Sequence, residues 1–105
     1  MLTGRVPAKT AEELMRSRFT AHALANEQYL AVSWAPETRP SDVHVIPDRE
    51  WTRLEIVDTE RGRQLDVDGV VEFRAHWEWR GEHGVLSERS RFRRENGRWV
   101  YVDGL

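Results

Sequence analysis

The 105-residue chain contains no cysteine, and only one of its 16 basic residues, Lys9, is a lysine. Without cysteine there is no disulfide framework, no thiolate zinc site and no cysteine nucleophile. The near absence of lysine leaves 15 arginines. Most of that bias reads as codon usage, though arginine also suits bidentate pairing with carboxylates. No apolar run is long enough to span a bilayer, and Met1 to Thr10 does not resemble a signal peptide, so a soluble cytoplasmic protein is expected. Charge of one sign is also scarce: 16 basic against 18 acidic residues give a net charge of −2, which argues against a dedicated polyanion binder and a membrane-surface protein. There is no glycine-rich phosphate loop, no nucleophile elbow and no kinase-type motif. His22, His44, His76 and His83 have no ligand spacing, so no metal or other cofactor is expected.

What is present suits one domain, spanning 1–105. A chain of this size buries roughly two thirds of its unfolded surface. Ten per cent of residues are aromatic, five of them tryptophan, and these supply large apolar surfaces.

Thr10-Ala11-Glu12-Glu13 has the form of a capping box and opens a helix expected to run to about Ala25. At 100° per residue, Ala11, Leu14, Met15, Arg18, Ala21, His22 and Ala25 fall on one stripe. Glu12, Glu13, Arg16, Ser17 and Thr20 lie elsewhere. Arg18 thus stands at the centre of an apolar face. Asn26 is placed to cap a second helix, Glu27 to Trp34, burying Tyr29, Leu30, Ser33 and Trp34. Ala35 to Glu50 carries three prolines and reads as a long loop with at most one helical turn.

The rest reads as a β-meander. Trp51 to Asp58 is a first strand. Glu60 to Arg63 and Asp66 to Gly69 are turn-like. Val70 to Arg80 alternates, with Val71, Phe73, Ala75, Trp77 and Trp79 on one side. Asn96-Gly97 favours a type I′ hairpin, which opposes Phe92 to Tyr101 and Ser90 to Asp103. With Glu82-His83 at the other tip, Trp77 faces Glu88 and Ala75 faces Ser90. The core face then comprises Val71, Phe73, Ala75, Trp77, Trp79, Leu86, Glu88, Ser90, Phe92, Trp99, Tyr101 and Asp103. The opposite face carries a ladder of Arg89, Arg91 and Arg93, with Glu72, Val100 and Val102.

Helices must pack their stripe on the sheet's apolar face. That gathers Arg18, His22, Trp34, Trp77, Glu88, Ser90, Tyr101 and Asp103. An unpaired buried charge is costly, so an Arg18–Glu88 ion pair is expected. One reading makes the group a ligand pocket, with Glu88 or Asp103 as proton acceptor, Tyr101 and His22 as hydrogen-bond donors, and Trp77 and Trp34 as walls. The other, favoured about two to one, makes it a polar plug between helix and sheet.

The segments Thr10-Ala11-Glu12-Glu13-Leu14-Met15-Arg16-Ser17-Arg18-Phe19, Gly84 to Phe92, and Asn96-Gly97-Arg98-Trp99-Val100-Tyr101-Val102-Asp103-Gly104, with Tyr29-Leu30, Trp34 and Trp51-x-x-Leu54, resemble the middle domain of bacterial YchJ-like proteins. The resemblance covers nearly the whole chain. It implies an α+β fold of the nuclear transport factor 2-like type: a cone with N-terminal helices packed on a strongly curved antiparallel sheet, usually around a cavity. Family members usually carry flanking SEC-C zinc motifs. Neither those flanks nor any cysteine is present here, so zinc binding does not carry over. The resemblance brings no catalytic residue with it. The leading expectation is a dimer-forming domain that binds a small molecule or a partner. The alternatives are a cavity enzyme doing isomerase- or dehydratase-like acid–base chemistry, and an RNA- or ribosome-associated module using the arginine face. Nucleic acid is the less favoured partner, and a homodimer the more favoured.

Overall fold

The computed structural model describes residues 7–45 and 49–105. Most of the lead-in before Lys9, and Pro47 of the loop, lie outside these. α1 spans Ala11–Ala23 and α2 Glu27–Val32. β1 (Glu50–Arg61), β2 (Asp68–Trp79), β3 (Glu82–Glu95) and β4 (Arg98–Gly104) form one antiparallel meander in sequence order. The α+β class and the helices-on-sheet arrangement match the expectation.

α1 begins where its chemistry dictates. The Thr10 hydroxyl accepts from the Glu13 backbone N–H at 3.1 Å, meeting one orphan donor of the first turn. The Ala11 N–H donates to the Gly62 carbonyl at 2.9 Å, tying the helix start to the β1–β2 turn. Gly62 and Gly69 cross so closely there that a Cβ on Gly69 would lie 2.4 Å from the Gly62 Cα. The helix stops at Ala23, two residues short of the expected end, and Ala25 turns out of it at φ 55°. Asn26 then caps α2 by accepting from the Tyr29 N–H at 3.1 Å.

α1 touches β1, β2 and β4. Ala11, Leu14, Met15, Val71, Phe73, Ala75, Phe92 and Trp99 form the buried core between helix and sheet. Ser17, placed off the buried stripe by periodicity, is buried as well. Its hydroxyl donates to the Leu14 carbonyl at 2.8 Å and shares a 2.6 Å hydrogen bond with the Tyr29 hydroxyl. α2 covers that side of α1, and the periodicity of one helix cannot register a second neighbour.

α2 ends at Val32, before Trp34. The chain then lies along the edge of β4: the Tyr101 N–H donates to the Ser33 carbonyl at 2.8 Å, and the Ala35 N–H to the Tyr101 carbonyl at 2.7 Å. This parallel bridge satisfies part of an edge that would otherwise offer free donors and acceptors. One helical turn follows, with the Arg39 N–H donating to the Ala35 carbonyl. β1 runs longer than expected, to Arg61, and is irregular near Thr52 and Val57.

Two registers differ from the sequence-based ones. The β2–β3 hairpin turns at Arg80-Gly81, both left-handed at φ 51° and 84°, not at Glu82-His83. Phe73 therefore opposes Glu88, Ala75 opposes Leu86, Val71 opposes Ser90 and Trp77 opposes Gly84. The displacement is an even number of residues, so inward side chains stay inward. Gly84 serves packing, since a Cβ there would stand 2.4 Å from the Trp77 ring.

The β3–β4 hairpin keeps Arg94 opposite Trp99 and Phe92 opposite Tyr101, as Asn96-Gly97 requires. A bulge then shifts the register between Phe92 and Arg91, so Arg91 opposes Asp103 and Ser90 opposes Gly104. An extra residue in one strand turns later side chains over. Asp103 is thereby moved from the expected core face to the arginine face.

Candidate functional site

A half-open pocket of about 170 Å³ lies between α1 and the inner face of the sheet. Met15, Phe19, Trp51, Phe73, Ala75 and Leu86 give it apolar walls, and Arg18, His22, Trp34, Glu88 and Tyr101 complete the lining. Five of the eight residues gathered by the sequence reading thus line one pocket. Trp77, Ser90 and Asp103 do not.

Arg18 is 4% exposed. Its position at the centre of the α1 stripe drives the guanidinium inward. One nitrogen, Nη1, donates to the Leu30 carbonyl at 2.9 Å and to the Ser33 hydroxyl at 2.7 Å, anchoring α1 to the end of α2. The guanidinium carbon lies 5.1 Å from the Trp34 ring centroid and 4.7 Å from that of Tyr101. Both are cation–π distances. Burial lowers the Arg18 pKa to about 10, against the upward pull of Tyr101, Tyr29 and Glu88 in that order. The group remains a cation at neutral pH.

The expected Arg18–Glu88 ion pair does not form: Arg18 makes its polar contacts through Nη1 to the end of α2 and lies at cation–π distance from two rings. The end of α2 supplies the acceptors instead. Glu88 sits opposite Phe73, and its Oε1 lies against Gly104, where a Cβ would come within 2.5 Å of it. The carboxylate is half-buried at the β3–β4 end of the pocket. Arg18 satisfies its buried charge through rings and backbone instead, which sequence patterning does not anticipate.

Tyr101 is influenced by both charges. Its phenol is pushed above its usual pKa, first by burial and then by Glu88, while Arg18 opposes the rise. It stays protonated and can donate. His22 packs obliquely on Trp51 with ring centroids 6.3 Å apart. Burial, followed by the Arg18 charge, lowers its pKa from 6.5 to about 4, so the imidazole is neutral at pH 7.

The other three candidates lie elsewhere. Trp77 crosses Gly84 and carries the Arg49 guanidinium 4.6 Å from its ring centroid. Ser90 is wholly buried. Its hydroxyl is near enough to weigh on the Tyr101 phenol, yet no hydrogen-bond partner in good geometry reaches its Oγ. Asp103 accepts two hydrogen bonds from Arg91, both at 2.7 Å, which hold its carboxyl below the usual range. It is therefore no proton acceptor for the pocket. Trp51 and Phe19, edge to face at 6.3 Å, are pocket walls the sequence reading missed as a pair. Trp51 opens β1 and Phe19 flanks the α1 stripe, so only the packing of β1 on α1 brings them together.

The ladder on the opposite face is neutralised within the chain. Arg89 reaches Asp58, Glu60 and Glu72 at 2.8 to 3.2 Å. Arg91 holds Asp103, and Arg93 holds Glu37 and Glu95. Val100, expected on an exposed face, is 7% exposed. Among the described residues no three His, Asp or Glu side chains are grouped as a metal site, and no helix is long and apolar enough to cross a membrane.

Comparison with known proteins agrees with the fold. A UPF0225 protein of Chromobacterium violaceum is 47% identical over 102 residues, covering 94% of this chain and 76% of that one. The UPF0225 protein SCO1677 of Streptomyces coelicolor is 48% identical over 101 residues, covering 96% and 78%. The solution structure of RPA3114, a SEC-C motif containing protein from Rhodopseudomonas palustris, superposes with a TM-score of 0.87 at 29% identity, covering 99% of this chain and 84% of that one. A SEC-C motif containing protein from Psychrobacter arcticus gives a TM-score of 0.77 at 25% identity, covering 93% and 61%. The family described as YchJ, middle NTF2-like domain, matches residues 10–104, and the chain belongs to that YchJ_M-like family.

Proposed function

We propose that this chain is a small-molecule-binding domain whose site is the pocket between α1 and the sheet. The observation that carries this reading is a half-open apolar pocket containing a buried guanidinium that has no ion-pair partner among the described residues. A polar plug would be filled, with its charges locked together. Here Arg18 and Glu88 stand apart and leave space between helix and sheet. Concave, mostly apolar pockets with a few convergent polar groups are where ligands bind. The test is a fragment titration followed by amide and indole NMR. Perturbations grouped on Arg18, Leu86, Tyr101 and the Trp51 indole are expected. A library that perturbs none of them overturns the reading.

A second reading is acid–base catalysis by Glu88, favoured by its freedom from Arg18. It requires that a pocket ligand be turned over by the native chain and not by Glu88→Gln. A homodimer is the partner we infer, formed through the outer face, where carboxylates and arginines alternate and two copies can exchange pairs. A single monomeric species by light scattering at high concentration removes that inference. The RNA- or ribosome-binding reading is weakened, because each ladder arginine already holds a carboxylate of its own chain.

A further inference from the structure

We infer that the pocket selects a small single-ring or similarly compact molecule bearing one carboxylate, and that Arg18 reads that carboxylate. The inference rests on the pocket reading above and adds the ligand's chemical class.

Size comes first. A dry cavity of about 150 Å³ holds one benzene molecule, so a volume of about 170 Å³ suits one ring or a short branched chain with a single polar group. Most of the lining, including Met15, Phe73 and Leu86, offers only dispersion contacts. The body of the ligand must therefore be apolar.

Arg18 determines the polar end. A guanidinium has five N–H donors in a rigid fork. Both hydrogen bonds that Arg18 makes leave from Nη1, so among the described residues no acceptor engages Nε or Nη2. That edge of the fork is the one that takes a carboxylate through two parallel bonds. The guanidinium carbon lies over the edge-to-face Trp34 and Tyr101 rings, and Leu30 and Ser33 hold one nitrogen, so the group is anchored before a ligand arrives. A buried cation without a counter-ion is unfavourable, and a carboxylate from outside relieves that.

Glu88 limits the choice. Its carboxylate lines the same pocket but lies against Gly104 and makes no ion pair with Arg18. It opposes a second negative group and so restricts the ligand to one. His22 is neutral at pH 7 and adds no charge.

The experiment compares benzoate, benzyl alcohol and benzylamine, matched in shape and differing in charge, by NMR titration at pH 7. Benzoate is expected to bind about tenfold or more tighter than benzyl alcohol, the margin of one charge-assisted hydrogen bond. Benzylamine is expected to bind weakest. Arg18→Met should remove the preference for benzoate while benzyl alcohol still binds. Should that variant fold poorly, Glu88→Gln gives the complementary test: benzoate affinity rises and that of benzylamine falls. If benzyl alcohol or benzylamine binds in the pocket as tightly as benzoate, the carboxylate inference fails and the pocket reading stands. If none of the three perturbs pocket resonances, both fail.

Discussion

Arg18 shows how one residue can join two elements. Its side chain is positioned by α1, satisfied by α2 and stacked on β4. Arg18→Ala removes two buried hydrogen bonds and two ring contacts and leaves a void. The expected cost is about 2–4 kcal/mol by urea denaturation. Glu88→Gln is expected to change stability by less than about 1 kcal/mol, because no buried partner is stranded. A large loss for Glu88→Gln with little for Arg18→Ala would restore the ion-pair account. His22 supplies a pH test. Its folded-state pKa of about 4 lies below its unfolded value of 6.5. Between those values the unfolded chain binds a proton that the native chain refuses, so stability falls as pH drops through that window. Between pH 7 and pH 5 the loss should be roughly 1–2 kcal/mol, and His22→Gln should abolish it. The same slope in that variant would mean His22 is not responsible.

At the scale of elements, the β2–β3 hairpin is the instructive case. Gly81-Glu82-His83-Gly84 offers two glycines, and turn chemistry alone cannot say which one bends the chain. Gly81 bends it, at φ 84°. Gly84 lets the Trp77 ring lie across the strand. Gly84→Ala should therefore displace that ring, with a loss of about 1–3 kcal/mol and an altered near-ultraviolet dichroism. Gly97→Ala should cost stability through its left-handed backbone without moving a ring, since nothing lies near its Cβ position. The β4 edge is the second case. Its pairing with Ser33 and Ala35 covers a free strand edge with chain that carries no strand pattern.

At the scale of the whole molecule, the two faces of the sheet have separate uses. The inner face packs on α1 and leaves the pocket. The outer face pairs its arginines with Asp58, Glu60, Glu72, Asp103, Glu37 and Glu95. A surface balanced in this way binds polyanions poorly. No retention of single-stranded RNA is expected on a filter at low salt. Retention that disappears in the Arg91→Ala, Arg93→Ala double variant would revive the nucleic-acid reading.

The sequence by itself determined the order of the elements and most of their faces. Thr10 and Asn26 caps, strand alternation and Asn96-Gly97 are local signals, and local hydrogen bonding and sterics settle them. It also placed Arg18, His22, Trp34, Glu88 and Tyr101 around one point, because helix and strand periodicities say which side chains point inward. Only the tertiary structure decided the rest. The turn at Arg80-Gly81 set which residue opposes Glu88, and the bulge near Phe92 sent Asp103 outward. α2 supplied the acceptors that freed Arg18 from an acidic partner. Those outcomes depend on which of several locally acceptable arrangements packs best. A pattern of inward and outward residues is unchanged by the even register shift of the β2–β3 hairpin, so it could not distinguish the two turns, and a bulge leaves no local signal in that pattern.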